Sequence, residues 1–379
     1  MKKCIVISDS FKGSLSSMEI CEIARESIPK IFPGCEVVTV PVADGGEGTV
    51  ECFVEAIQAQ PVTVPASGPY GESIEATYAR SGNRAIVEMA CAASLPMVGD
   101  RRNPEETTTY GVGQVMRHAV ENGCTEILLG LGGSATNDGG CGCAAAMGVK
   151  FYDEQGNQFV PLGKTMGQIA KIDVSEAKAL LEGVKVTVMC DVENPLYGPT
   201  GAAYVFGPQK GANKEMVARL DDNLRKLAET IKSELGLDIA EQPGTGAAGG
   251  MGGGCIAFLG AELKSGIEAV LDMVEFDKVL EGADMVITGE GRIDSQSVHG
   301  KVISGIAKRT SAQNVPLVAI VGCIDKSASE AYDLGVSAIF GIDREAKAFV
   351  DYIHETRDYY QRTMEDVLRL IRAAEQIKK

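Results

Sequence analysis

The sequence predicts an α/β protein of two domains. A parallel-sheet domain is built from both chain ends, residues 1–61 and 283–379, and a second α/β domain with a mixed sheet, residues 62–282, is inserted between them. Three observations carry this expectation. Short β-branched runs alternate with helical patterns up to about residue 60, as βαβ units do. From residue 62 the pattern changes to alternating runs separated by glycine- and proline-containing turns. After residue 284 the βαβ pattern returns.

The bulk numbers agree with such a molecule. A chain of 379 residues suggests two or three domains at roughly 100–200 residues each. Apolar content of 45% and charged content of 23% are those of an ordinary soluble protein. The 45 glycines lie in loops without a period, which excludes a collagen-like chain and suggests close backbone approach to ligands. A net charge of −16 argues against nucleic acid or an anionic membrane as partner. An anionic substrate would therefore need cations held locally by loops. The 11 cysteines are scattered, often inside apolar runs (Cys4, Cys21, Cys52, Cys190), and read as buried small hydrophobes in a reducing compartment. Cys141 and Cys143 form no CxxC pair, so a structural zinc is not expected. The apolar stretch near the N-terminus is too short for a signal sequence. No run approaches the ~18 apolar residues of a membrane span, and a cytoplasmic location is expected. The oligomeric state is left open.

The elements follow in order. Residues 4–7 form the first strand, ending in Ser8-Asp9-Ser10-Phe11-Lys12-Gly13-Ser14. Ser16 opens a helix with Glu19 three positions on, a capping box. On this loop alone an anion ligand and a surface lysine fit Lys12 equally. Residues 37–40 form the second strand. Asp44 and Glu47 follow among Gly45, Gly46 and Gly48, where acids also suit a helix N-terminus. Hairpins occupy residues 62–88. A helix spans 107–122, and the strand at 126–131 leads into Gly132, Gly133, Ser134, Ala135, Thr136, Asn137 and Asp138. Formally, residues 130–135 satisfy a dinucleotide fingerprint. The glycines start inside the strand, however, and the polar cluster fits a polyphosphate or metal-water site better. The strand at 184–190 ends at Asp191 and Asn194, where catalysis and turn chemistry are equally good readings. Lys210 lies in a Gly-Pro-Gln-Lys-Gly run. A long amphipathic helix spans 214–235. Residues 244–254 hold seven glycines and read as a phosphate cradle or a hinge. A helix at 267–280 leads to the strand at 285–288, which stops at Gly289-Glu290-Gly291. Arg292, Asp294, Ser295, Ser297, His299 and Lys301 follow, in the strand-to-helix position where open α/β sheets bind ligands.

There is no Walker loop, no zinc cluster and no nucleophile elbow. Glycine-rich loops, isolated cations and strand-end carboxylates remain, and phosphoryl transfer needs that set. Six blocks carry a family likeness: residues 9–14 (DSFKGS), 41–49 (PVADGGEGT), 131–140 (LGGSATNDGG), 190–196 (CDVENPL), 208–212 (PQKGA) and 289–297 (GEGRIDSQS). Together, in order and spread over about residues 1–375, they resemble the bacterial type I glycerate kinases. The resemblance implies ATP-dependent, Mg²⁺-supported phosphorylation of D-glycerate. The product in that family is typically 2-phosphoglycerate, although 3-phosphoglycerate formers exist among glycerate kinases. It also implies a two-domain α/β architecture with a Rossmann-like domain.

The site roles follow as expectations. Lys12 and Arg292 bind the glycerate carboxylate or the γ-phosphate, and Ser10, Asp44 and Ser295 complete the substrate site. Asp191 or Asp294 is the base, the two ranking nearly even. Gly132, Gly133, Ser134, Thr136, Asn137, Lys210, Gly252 and Gly253 hold the nucleotide, and Asp138 and Glu47 are metal-water ligands. Two rival readings are a nicotinamide-dependent reductase of a small hydroxy acid and a non-catalytic sensor of small acids. The first predicts tight NAD(P) binding, and the second predicts no ADP release.

Overall fold

The structure is a computed structural model describing residues 1–11, 13–42, 49–294, 302–345 and 353–377. The chain divides into two compact units, Met1–Ala43 with Ile267–Lys379, and Asp44–Gly266.

The first unit holds a five-stranded parallel sheet. Its strands run in the order Val336–Gly341, Leu317–Val321, Met285–Thr288, Lys3–Ser8, Glu36–Pro41. Met285–Thr288 and Leu317–Val321 are buried throughout, as strands covered on both faces must be. The chain winds one way from Lys3–Ser8 and the other way from Met285–Thr288. The order therefore reverses between these two strands, and their carboxyl ends form a topological switch point. This is the Rossmann-like domain built from both chain ends. Helix Ser17–Ile31 starts with the expected capping box, Ser16 and Glu19 bonding reciprocally. Ser17 Oγ donates to the Ser8 carbonyl at 2.6 Å and accepts from the Val42 amide at 2.9 Å. That pair of bonds fixes the helix start to the ends of two strands. The last helix, Thr356–Ile377, packs on Ser17–Ile31, and the Phe11 ring meets Tyr360 edge-on at 5.5 Å.

The second unit holds a mixed six-stranded sheet in the order Glu262–Lys264, Lys185–Met189, Glu126–Gly130, Arg84–Glu88, Ser73–Ser81, Gln60–Ser67. The first four are parallel, and the last two pair antiparallel as a hairpin. A small antiparallel sheet (Gln158–Phe159, Lys150–Tyr152, Lys171–Asp173) lies apart from it. The predicted long helix is present as Lys214–Leu235.

Two segments differ from expectation. The glycine run at 244–254 is neither a cradle nor an open hinge. From Ala247 to Leu259 it is a buried helix with a left-handed kink at Ala248, Gly249 and Gly250 (φ 53, 72 and 91°). A Cβ at Gly252 would collide with the Gly244 carbonyl, and one at Gly254 with the Gly139 carbonyl. These glycines let backbone lie against backbone. The expected helix at 267–280 is two pieces, Gly266–Met273 and Phe276–Val279, interrupted by Glu275 at φ 52°.

The units also divide at 43/44 and 266/267, not where the sequence pattern changes near 62 and 282. Helix Thr49–Ala56 packs on the strands of the mixed sheet, with the Val50 amide bonded to the buried Glu88 carboxylate. At the other junction Arg309, in helix Val302–Ala312, binds Glu268 and Asp272 at 2.7 Å each and also pairs with Asp277.

Candidate active site

In the first unit the switch point carries polar residues from three strands. The Asp9 amide donates to the Gly289 carbonyl at 2.9 Å, across the two strand ends. Asp9 Oδ1 in turn accepts from the Ser10 amide at 2.7 Å and from Ser10 Oγ at 3.4 Å. Gly289 is required where it stands, because a side chain there would strike the Ile320 carbonyl. Arg292 lies on a short strand, Arg292–Ile293, paired with Cys323–Ile324. Its Nη2 is 2.8 Å from Asp325 Oδ2. The Ser327 amide, then this guanidinium and the Ser327 hydroxyl, hold the Asp325 carboxyl below the usual range. The pair is open to solvent, with side chains 61% and 35% exposed. It is therefore worth little to stability and leaves the guanidinium accessible. Asp294 follows, half-buried. The structure thus brings Ser10, Arg292 and Asp294 to the carboxyl edge of one sheet. Sequence reading missed Asp9 as the anchor of Ser10 and Asp325 as the partner of Arg292. The Asp-Lys-Ser run at 325–327, directly after the short strand Cys323–Ile324, is the signal that was available for Asp325.

In the second unit Asp191 follows strand Lys185–Met189, and the 132–140 loop follows the adjacent parallel strand Glu126–Gly130, so both lie at one sheet edge. Asp191 is exposed, and its Oδ1 accepts the Gly266 amide at 2.7 Å. Asn194 turns its amide to the Thr200 carbonyl at 2.8 Å, which is turn chemistry. Gly133 is exposed and Gly132 half-exposed, whereas Ser134, Thr136, Asn137 and Asp138 are buried.

The polar side chains of this loop are engaged inward. Asp138 is 0% exposed. Its Oδ2 accepts from the Thr109 amide (2.8 Å), Thr109 Oγ1 (2.9 Å) and the Gly142 amide (3.2 Å), and its Oδ1 from the Gly140 amide (3.1 Å). Burial pushes the Asp138 carboxyl up, against these bonds, which pull it down. This geometry makes Asp138 an anchor of the loop and of helix Tyr110–Glu121, so the expected metal-water role does not fit it. Lys210 is only 2% exposed. Its Nζ donates to the Thr136 carbonyl at 2.6 Å and to Ser134 Oγ at 3.4 Å. Burial lowers its pKa to about 7, against the pull of Asp138. Asn137 differs from its neighbours: its side-chain oxygen and nitrogen are buried and neither has a hydrogen-bond partner in the protein. Such a group marks a place for a water or a ligand atom.

Gly252 and Gly253 face the protein's own backbone and side chains within the helix described above, so they are not nucleotide contacts in this geometry. The dinucleotide fingerprint is not formed either, because Gly130 ends a strand and the next helix starts only at Cys141. Lys12, Asp44, Glu47 and Ser295 lie outside the described residues. Among the described residues no group of three His, Cys, Asp or Glu side chains could hold a metal ion, and no helix is long and apolar enough to cross a membrane.

The sequence model of the glycerate kinase family matches residues 4–372. The chain belongs to that family. It is accordingly an enzyme of the phosphotransferase class that acts on an alcohol group. Among curated glycerate kinases, one from Bacillus cereus (strain ATCC 10987 / NRS 248) is 45% identical over 90% of each chain. The glycerate 2-kinase of Escherichia coli (strain K12) is 43% identical, again over 90% of each. The solved structure of a candidate glycerate kinase 2 from Salmonella typhimurium LT2 superposes with a TM-score of 0.87 at 40% identity, covering 99% of both chains. That structure thus shares this two-domain fold.

Proposed function

We propose that the protein uses ATP to phosphorylate D-glycerate on its 2-hydroxyl, giving 2-phosphoglycerate and ADP. The observation that carries this is the exposed Asp191 carboxylate, fixed by the Gly266 amide at a sheet edge it shares with the glycine turn. The name of the Escherichia coli relative supports the 2-position.

In this reading the exposed Gly132–Gly133 main chain meets the nucleotide phosphates, with Ser134, Thr136 and Asn137 behind it. ATP enters with Mg²⁺, which offsets phosphate charge. Ser10, Arg292 and Ser295 bind glycerate, with Lys12 and Asp44. The carboxylate of glycerate suits the Arg292 fork. Asp191 takes the hydroxyl proton as the oxygen attacks the γ-phosphorus, the bond to the β–γ bridging oxygen breaks, and ADP leaves. Asp294 either shares this task or orients the hydroxyl. The division into a domain from both chain ends and an inserted domain separates these two sets of residues along the chain.

A coupled assay for ADP tests the reading. ADP is expected to appear with ATP and D-glycerate together and not with either alone. Tight binding of NAD(P) with no glycerate-dependent ADP would overturn it in favour of a reductase. Glycerate binding without turnover would favour a sensor.

A further inference from the structure

The turn at residues 132–136 is held from three directions. The Leu95 amide donates to the Gly133 carbonyl at 2.9 Å, and the Ala135 amide to the Ala93 carbonyl at 2.8 Å. Thr107 Oγ1 donates to the Ala135 carbonyl at 2.9 Å. From the third direction Lys210 reaches the Thr136 carbonyl and Ser134 Oγ, and Ser134 Oγ also accepts the Thr136 amide at 3.1 Å. The solvent side of the turn is glycine main chain, and its inner side ends on a buried ammonium.

A buried lysine whose nearest partners are neutral oxygens is costly to keep. A methionine would fill a similar space without that cost. What the lysine adds is a pair of hydrogen bonds directed at the backbone and hydroxyl of the turn, charge-assisted whenever its amine is protonated. To touch a ligand beyond Gly133 it would have to leave both its burial and the Thr136 carbonyl. The short helix Pro208–Lys210 that carries it is itself braced: Arg102 Nη1 donates to the Gln209 carbonyl at 3.2 Å, and Gly211, at φ 97°, packs on the Arg102 backbone.

We propose that Lys210 is a positioning residue that holds the Gly132–Gly133 main chain in its nucleotide-ready conformation from inside, without contacting the nucleotide. This rests on the reading of that turn as the phosphate site.

Hydrogen exchange by mass spectrometry and steady-state kinetics on the full chain test it together. In the wild type, ATP is expected to slow exchange in peptides spanning 131–137. If it does not, the phosphate-site reading falls, and this inference with it. Given that protection, Lys210→Met is expected to speed exchange of the same peptides about tenfold without nucleotide, a local opening. Helix Thr356–Ile377 should exchange at the wild-type rate. KM for ATP should rise about tenfold while KM for glycerate stays within about twofold. Lys210→Gln, which keeps a donor for the Thr136 carbonyl, should lie between the two. A raised KM for ATP with wild-type exchange in the unliganded turn would make Lys210 a direct ligand and overturn the proposal. Faster exchange with wild-type KM for ATP would make its role merely structural and overturn it equally. If Lys210→Met does not fold, Lys210→Gln carries the same two readings.

Discussion

One carboxylate oxygen of Asp191 is fixed by the Gly266 amide, and the residue stands exposed at a sheet edge. A general base needs that combination of fixed geometry and access. Asp191→Asn keeps the hydrogen-bond acceptor and removes the basicity. It is expected to lower kcat by about 10²–10⁴ with the melting temperature unchanged, as steady-state assays and calorimetry would show. Wild-type turnover in both this variant and Asp294→Asn would remove the two candidate bases at once. Lys210 makes a prediction about stability instead. Its folded pKa of about 7 lies below its ordinary 10.5, so between these values the unfolded chain binds more protons and stability rises with pH. The contribution is complete above the unfolded value and is lost progressively as pH falls from there to about 7. Urea unfolding from pH 7 to 10 should show a positive slope of up to ~1.4 kcal/mol per pH unit from this one proton. That slope should be missing in Lys210→Met. Asp138, whose own carboxyl is pushed up by burial, is the charge that pulls the Lys210 pKa back upward.

At the scale of elements, the helix Ala247–Leu259 separates two readings of a glycine-rich run. A ligand cradle would lose affinity on a Gly→Ala change and keep its stability. The packed helix should do the reverse. Gly252→Ala, which drives a methyl into the Gly244 carbonyl, is expected to cost about 1–3 kcal/mol of stability with KM for ATP unchanged. Ser16→Ala removes the capping box of Ser17–Ile31 and should cost about 1 kcal/mol. Strands and long helices were legible because their signals are periodic: the 214–235 helix and the 16/19 cap read directly from the sequence. The role of the 244–254 glycines was not legible. Absence of a Cβ allows close approach and does not say whether a phosphate or the protein's own carbonyl does the approaching. Asp138 misled in the same way, since an acid among glycines serves backbone amides as readily as a hydrated ion. Asp325 was not named because its partner Arg292 is brought to it only by the pairing of two short strands.

Across the whole molecule, a chain of net charge −16 is proposed to act on two anions. Arg292, an accessible cation at the switch point, is paired with Asp325 through an exposed contact that an incoming carboxylate can replace. The doubly wound sheet sets its ligand edge by strand order alone, and the mixed sheet presents Asp191 beside the glycine turn by register. The fold class was readable in advance because it depends on how element types alternate along the chain. Which side chains face outward depends on packing, and pattern carries little of that. The most direct measurement is proton–phosphorus NMR of the product made from ATP and D-glycerate. Phosphorus coupled to the single proton on carbon 2, with one ADP formed per glycerate consumed, is the predicted result. Coupling to the carbon 3 protons, or ADP release indifferent to glycerate, would contradict it.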